Sequence, residues 1–483
     1  MSCLPGCSPS HRTTSDADDR ALLTFDQVRE LAGGMLERIH PDAERIAGFG
    51  PRQTGQVGCR KTYEYVKAVF GALDGPRRSL REFGSTVTVP LDRFAAEEAV
   101  AGREHSSVTL HVPGRPPQTW DAFSCYPNNV QDCLTTPASE TPRRLVDLGF
   151  GAAADFAGKD VADAVVLLDY NSAEAWLRAR ELGAYAAVFV EPSWTNWRQS
   201  DLKYLDMIPI HMPRLWIDRQ AAQSMRDALA AGGDVQVTVR SRLAWRNVRA
   251  PCVEFTIPGK DRSRTFILAS HFDARSMVPD LAYGGDEVWG IAALLELARH
   301  YAVNPPPVNL RFIAVSGHWQ AQRCTRDYIA HGAVGFEEVG NPVRLVMGLD
   351  FSTEGASLNL TRETAWDDGS QTNYRWLKTA LFNKGGWYDQ IREGLDLARR
   401  NIDLYADERS FMVYTTDGDM APRDRLCPLT YSPRFYTANE AWASVNAPTF
   451  AFQTSELWRL HHNSPLDSFA VSAAPERLAN LRP

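Results

Sequence analysis

The chain has 483 residues, of which 44% are apolar and 23% are charged, and its formal net charge is -7 at pH 7. This length allows two hydrophobic cores, so we expect two domains. Lysine and arginine are scattered rather than clustered, so we do not expect nucleic acid as a partner. No apolar run of about eighteen residues is present to form a transmembrane segment.

The N-terminal residues 1–21 are polar, poor in aromatic residues and rich in Ser, Thr and Asp, a composition typical of a disordered leader. The segment from Leu4 to Cys7 is similar to the end of a lipoprotein signal, although a polar tail with two cysteines explains it equally well. If translation starts upstream, the mature chain would be anchored through Cys7. We therefore expect an extracytoplasmic location: periplasmic, secreted or lipid-anchored. In an oxidising compartment Cys125 and Cys133 are close enough in sequence to bridge a loop.

The pattern of the remaining chain predicts a larger domain that is interrupted by a smaller one. Two helical patterns and a strand at 84–90 predict the first part of the larger domain at residues 22–92. Short β segments and turns dominate residues 93–241, which predicts a β-rich inserted domain. In residues 242–483 strands alternate with helices, a pattern typical of a mostly parallel sheet covered on both faces. The predicted fold class is α/β, a three-layer sandwich.

Polar residues follow the apolar strands of the second part. One strand ends on His271 and Asp273, the next on His318 and Trp319, and a third on Asp350. Asp286 opens an apolar helix, and the pair His461 and His462 follows the last strand. Open α/β sheets gather such residues at the carboxyl ends of their strands. Imidazole beside carboxylates suits zinc, although a strand-terminal Asp taken alone is more often a cap or turn residue.

These residues resemble the two-zinc aminopeptidases of the phosphorylase/hydrolase-like fold, a family that also includes glutamate carboxypeptidase-like and transferrin-receptor-type chains. The segment 53–66 is similar to the family's opening turn and helix, and 144–190 is similar to an inserted protease-associated domain. The resemblance implies that His271, Asp286 and Asp350 bind one zinc ion, and that Asp286, His462 and a glutamate bind a second. It also implies that Asp273 accepts a ring N–H of His271 and fixes its orientation.

The sequence departs from the family at one pair of residues. The family's Glu-Glu pair, a general base followed by a metal ligand, aligns with His318 and Trp319. Tryptophan cannot bind zinc because its indole N–H is a donor only. One zinc ion is therefore expected, while the second position has lost a ligand that Glu287 or Glu354 would have to supply. His318 is the candidate for the lost base, although a ligand role or a merely hydrogen-bonded histidine also fits.

The sequence favours a metal-dependent hydrolase of peptides or small amides, with a remodelled second metal site. Two other functions stay open: a catalytically inactive binding protein on the same fold, and a single-zinc acyl transferase or cyclase, since glutaminyl cyclases resemble this family. A substrate pocket lined by Trp289, Trp319 and Trp458 is one interpretation of these tryptophans, and a place in the core is the other. The oligomeric state is left open.

Overall fold

The structure is a computed structural model that describes residues 30, 33–92, 105–128, 135–137, 140–204, 210–331, 343–355, 358–361, 440–443, 449–454 and 459–478. Two sheets and the helices packed on them make up these ranges. The strands are β1 Ser79–Leu91, β2 Ser107–His111, β3 Gln118–Asp121, β4 Phe123–Ser124, β5 Arg143–Asp147, β6 Val165–Asp169, β7 Ala186–Val190, β8 Arg214–Ile217, β9 Gln236–Arg240, β10 Ala244–Ile257, β11 Asp261–His271, β12 Val308–Val315, β13 Val343–Asp350, β14 Leu358–Thr361 and β15 Thr449–Thr454. The helices are α1 Met35–Ala47, α2 Val57–Ala72, α3 Ala153–Phe156, α4 Ala175–Glu181, α5 Trp197–Asp201, α6 Arg219–Ala230, α7 Val288–Val303, α8 Arg323–Ala330, α9 Glu440–Ala443, α10 Phe469–Ser472 and α11 Pro475–Leu478.

The larger sheet has seven strands in the order β1-β10-β12-β11-β13-β15-β14. The four central neighbours β12, β11, β13 and β15 are parallel, while β1, β10 and β14 pair antiparallel at the two sides. The carboxyl ends of the four parallel strands therefore lie along one edge. The expected mostly parallel sheet is confirmed for this central part.

Helices cover both faces of the larger sheet. Along β11, Leu268 packs with α1, α2 and α7 on one face, whereas its neighbours Ile267 and Ala269 pack with α8 on the other. This alternation follows from the two-residue period of a strand, which turns successive side chains to opposite faces. The result is the predicted α/β three-layer sandwich.

Helix α7 lies unusually close to the sheet. A Cβ atom added at Gly290 would lie 2.7 Å from the carbonyl oxygen of Leu349, a distance that real Cβ contacts do not reach. The face of this apolar helix that includes Ile291, Leu294 and Leu295 is fully buried. Glycine at position 290 thus lets the start of α7 pack directly against the end of β13.

The second sheet has eight strands in the order β3-β2-β9-β5-β6-β7-β8-β4, all between residues 107 and 240. These residues fall within the predicted insert at 93–241, whose boundaries stay a prediction, as does its protease-associated character. The unit is β-rich as expected, and within it β5, β6, β7 and β8 are parallel, with helices α3 to α6 connecting or following them. Parallel neighbours require crossover connections, which helices usually supply.

Three sequence-based expectations fall outside the described residues: the leader at 1–21 with Cys7, the bridge partner Cys133, and Trp458. Cys125 is a free, buried thiol. None of the helices in the described ranges is both long enough and apolar enough to cross a membrane.

Candidate metal centre

The predicted site residues follow the four parallel strands of the larger sheet. His271 is the last residue of β11, Asp350 is the last residue of β13, and His318 lies three residues after β12. His462 follows β15, the neighbour of β13. The strand order β12-β11-β13-β15 therefore brings these side chains to one edge, as the sequence predicted.

Asp286 lies just before α7 and is held there by the C-terminal loop. Its backbone N–H donates to Asp467 Oδ1 at 2.8 Å, and the N–H of Gly285 donates to the Asp467 carbonyl at 3.0 Å. The hydroxyl of Ser472 donates to the Gly285 carbonyl at 2.7 Å. These bonds fix the Asp286 carboxylate over the end of β13.

Arg459 lies at the middle of the centre, and its sequence position gave no sign of this. Its Nε donates to Asp286 Oδ2 at 2.6 Å, and its Nη1 donates to Asp350 Oδ2 at 2.9 Å. A third nitrogen, Nη2, lies 3.3 Å from His462 Nδ1. Arg459 is 1% exposed, so both ion pairs are excluded from water. The two aspartates predicted to share a metal ion share a guanidinium group instead.

Glu287 and His271 face each other beside these ion pairs. Their closest atoms, Glu287 Oε1 and His271 Nε2, are 4.0 Å apart, and Glu287 Oε1 lies 3.7 Å from His462 Nδ1. Both side chains are buried, and among the described residues neither the Glu287 oxygens nor the His271 ring nitrogens have a hydrogen-bond partner. Such buried polar atoms are costly, which makes this the part of the centre that calls for a ligand.

The rings of His318 and Trp319 complete the centre. The imidazoles of His271 and His318 are stacked, with centroids 4.1 Å apart and planes at 6°. The Trp319 ring lies 5.8 Å from the His271 ring and 5.6 Å from the His462 ring. An indole therefore covers the place where the resemblance implies a glutamate ligand.

The predicted role of Asp273 needs a correction. Its Oδ2 accepts a hydrogen bond from the Thr54 hydroxyl at 2.6 Å and another from the backbone N–H of His318 at 3.1 Å, and no hydrogen bond joins it to His271. Asp273 thus ties the loop after β12 to the segment before α2. It positions His318 through the backbone rather than orienting His271.

The contacts of the remaining candidate residues show which of them face the metal centre and which do not. His461 donates its backbone N–H to Glu354 Oε2 at 2.9 Å, and its Nδ1 lies 2.5 Å from Glu354 Oε1, which also pairs with Arg477. Glu354 is therefore engaged away from the centre, and of the two adjacent histidines it is His462 that faces Asp286, at 3.6 Å. Trp289 is fully buried and stacks on Phe469, so it belongs to the core.

Burial and the Arg459 charge set the protonation of the centre. Burial, reinforced by Arg459, lowers the pKa of His271 to about 3 and that of His462 to about 4. For Asp286 burial acts in the opposite direction, but the guanidinium outweighs it and holds the pKa well below its usual range. Burial and the neighbouring Asp467 raise the pKa of Glu287 well above its usual range. The imidazoles of His271 and His462 are thus neutral and Asp286 is ionised at pH 7.

The residues do not fit the two-zinc arrangement that the resemblance implies. Asp286 Oδ2 and Asp350 Oδ2 are both bound to Arg459, and Trp319 offers no ligand. In the part of the chain that the structure describes, no three His, Cys, Asp or Glu side chains are arranged as a metal-binding group. The donors of His271, Glu287 and His462 have the right chemistry for one zinc ion, but two ligands of a tetrahedral zinc are only about 3.3 Å apart. The distances from Glu287 Oε1 to His462 Nδ1 and to His271 Nε2, 3.7 and 4.0 Å, would have to shorten by roughly 0.4 to 0.7 Å.

Comparison with known proteins agrees with the fold. Residues 253–412 match the model of peptidase family M28. A curated relative, a probable zinc metalloprotease of Pyricularia oryzae (strain 70-15), is 33% identical over 121 residues, which cover 22% of this chain and 23% of that protein. The match thus spans about a quarter of that relative.

Two solved structures share the fold over nearly the whole chain. The zinc aminopeptidase BSAP of Bacillus subtilis has a TM-score of 0.51 and 16% identity, covering 92% of each chain. A peptidase M28 precursor of Shewanella amazonensis SB2B has a TM-score of 0.51 and 13% identity, covering 94% of each chain. Residues 253–412 are therefore similar to peptidase family M28, and the chain shares its fold with these two structures, which confirms the resemblance that the strand-end residues predicted.

Proposed function

We propose that this protein hydrolyses peptides or small amides with a metal centre remodelled to hold one zinc ion at most. The M28 domain supports hydrolysis as the reaction class. One observation carries the remodelling: His271 and Glu287, buried at the carboxyl edge of the parallel strands, have no hydrogen-bond partner among the described residues.

Charge in the centre also supports a single bound cation. Five buried carboxyl groups surround it, and two buried guanidinium groups lie among them: Asp273, Asp286, Glu287, Asp350 and Asp467, with Arg52 and Arg459. Burying more carboxylates than cations is unfavourable unless some are protonated or another cation binds. His271 and Glu287 are the donors we assign to that cation, while His462 Nδ1 lies 3.3 Å from Arg459 Nη2 and is engaged there.

The residues have separate tasks in this proposal. When bound, a zinc ion supplies a Lewis acid and lowers the pKa of a bound water. His318 is the group we assign as proton acceptor, because it stands at the family's base position and its ring lies against His271. Asp273 holds the His318 backbone N–H and so fixes where that ring stands.

The test is hydrolysis of a panel of aminoacyl and dipeptide amides, with zinc, cobalt and manganese content measured on the same preparation. The proposal expects metal-dependent cleavage by the wild type, and His271→Ala should lose both the cleavage and the bound ion. Cleavage that survives complete removal of the metal would contradict it. His331→Ala, at an exposed histidine in the turn after α8, is the matched control.

A binding protein on the same fold is the second candidate, and two observations favour it. Arg459 neutralises Asp286 and Asp350, and Trp319 replaces a ligand. Such a protein would show no cleavage across the panel with any of the three metals, yet would bind a peptide or amide from it in calorimetry. Loss of that binding on Trp319→Ala, with folding retained, would select this candidate over the hydrolase.

A further inference from the structure

We propose that the guanidinium group of Arg459 takes the place of a metal ion between Asp286 and Asp350. This proposal deepens the proposed function, because it identifies the position between Asp286 and Asp350 as one that holds no metal ion. It rests on the proposed function only for the assignment of the M28 fold. It concerns a side chain that supplies a fixed positive charge to two carboxylates which come from different elements of the fold.

The buried carboxyl groups of Asp286 and Asp350 need a cation between them. Asp286 precedes α7 and Asp350 ends β13, and the close packing of α7 on β13 brings both carboxyl groups to the same buried edge. Two carboxylates in such a place repel each other and lose their hydration, so they stay ionised together only when a positive charge lies between them.

Arg459 supplies this positive charge with suitable geometry. Its Nε and Nη1 point to different carboxylates at 2.6 and 2.9 Å, which uses the planar fork of the guanidinium to bridge them. The other Asp286 oxygen, Oδ1, accepts from the Ser352 hydroxyl. Both oxygens of Asp286 therefore already accept a hydrogen bond from a side chain.

A metal ion and the Arg459 guanidinium exclude each other between Asp286 and Asp350. A zinc ion binds carboxylate oxygen at about 2.0 to 2.2 Å, so an ion shared by Asp286 and Asp350 would contact the guanidinium nitrogens. It would also carry the same sign of charge in a buried site, where repulsion is strong. Binding of the ion would require Arg459 to leave its two partners.

Arg459 is buried and fixed by its contacts with neighbouring residues. Its side chain is 1% exposed, and its carbonyl accepts the backbone N–H of His462 in the turn after β15. The third nitrogen, Nη2, lies 3.3 Å from His462 Nδ1, so the guanidinium contacts that imidazole as well as both acids. The arginine thereby also sets the position of His462.

The experiment counts metal ions, not turnover. Wild type, Arg459→Ala, Arg459→Lys and the double variant Arg459→Ala/Asp350→Asn are saturated with cobalt, dialysed, and measured by elemental analysis and visible absorption. We expect Arg459→Ala to hold about one cobalt ion per chain more than the wild type, with the ligand-field bands of a protein-bound ion. Arg459→Lys keeps the positive charge and should gain none, and the double variant should lose the gain.

The proposal is overturned if Arg459→Ala binds the same number of ions as the folded wild type. Should Arg459→Ala not fold, Asp350→Asn in the wild-type background decides: the metal content should not change, and the loss of an ion would overturn the proposal. Arg144→Ala, which removes an exposed arginine paired with Asp160, controls for the loss of one positive charge. Absence of hydrolysis by the wild type would contradict the proposed function while leaving the added ion in Arg459→Ala unaffected.

Discussion

The imidazole rings of His271 and His318 are stacked almost in parallel, 4.1 Å apart, at the ends of neighbouring strands. One ring belongs to the predicted metal ligand and the other to the predicted proton acceptor. Parallel pairing of β11 with β12 places them side by side, and the Asp273 bond to the His318 backbone keeps them there.

Replacing His318 by glutamine should reduce turnover of a cleavable amide by about a hundredfold or more, the usual contribution of a positioned acid or base. Glutamine keeps a polar side chain of similar size but cannot take up a proton. Steady-state kinetics should show the loss in kcat, with the metal content unchanged. Equal kcat in the variant and the wild type would remove His318 from the mechanism.

Replacing Arg459 by methionine should lower the free energy of unfolding by about 3 to 5 kcal/mol, since two buried carboxylates lose their counter-ion. Added zinc should restore part of that loss, because a cation can then enter between them. Urea unfolding followed by circular dichroism measures both effects. In the control Arg144→Ala, an exposed ion pair is lost and the change should stay below about 1 kcal/mol. A loss for Arg459→Met no larger than that of the control would contradict the buried bridge.

Replacing Gly290 by alanine should destabilise the larger domain by about 1 to 3 kcal/mol, although alanine is the better helix former, because its Cβ would meet the Leu349 carbonyl at 2.7 Å. The matched control is Gly71→Ala in α2, where nothing lies within 4 Å of the added Cβ. There the change should stabilise by up to about 1 kcal/mol. Denaturant unfolding of both variants gives the comparison, and effects of the same sign would refute the packing argument.

Replacing Lys203 by methionine should make the second sheet's unfolding less dependent on pH. Burial lowers the pKa of Lys203 from 10.5 to about 7, and its ammonium donates to the Ala173 carbonyl while lying over Tyr170 and Phe189. Between those two values the unfolded chain binds a proton that the folded chain does not, so stability rises with pH by about 1.4 kcal/mol per unit. Below about 7 both states hold the proton and this contribution is flat.

Thermal unfolding of wild type and Lys203→Met between pH 7 and 10 measures this dependence. The difference between the two proteins should shrink as pH rises, with the variant the more stable at pH 7. The exposed Lys260→Met controls for the loss of one lysine. A difference that stays constant with pH would show that Lys203 keeps its proton in the folded state.

The strand-end residues were predictable because parallel strands place their carboxyl ends together whatever the details of packing. Asp350 ends β13 and His271 ends β11, as expected. Arg459 was not predictable in the same way. Its partners lie 109 and 173 residues away in sequence, and an arginine is usually exposed, so nothing local indicates that it is buried. The Thr54 to Asp273 bond spans 219 residues and escaped prediction for the same reason.

Anomalous diffraction at the zinc edge, from wild-type crystals grown with zinc, locates any bound zinc ion. We expect no peak between Asp286 and Asp350, where Arg459 should lie, and any single peak beside His271 and Glu287. A zinc peak within about 2.2 Å of oxygens from both Asp286 and Asp350, with Arg459 displaced from them, would contradict this expectation.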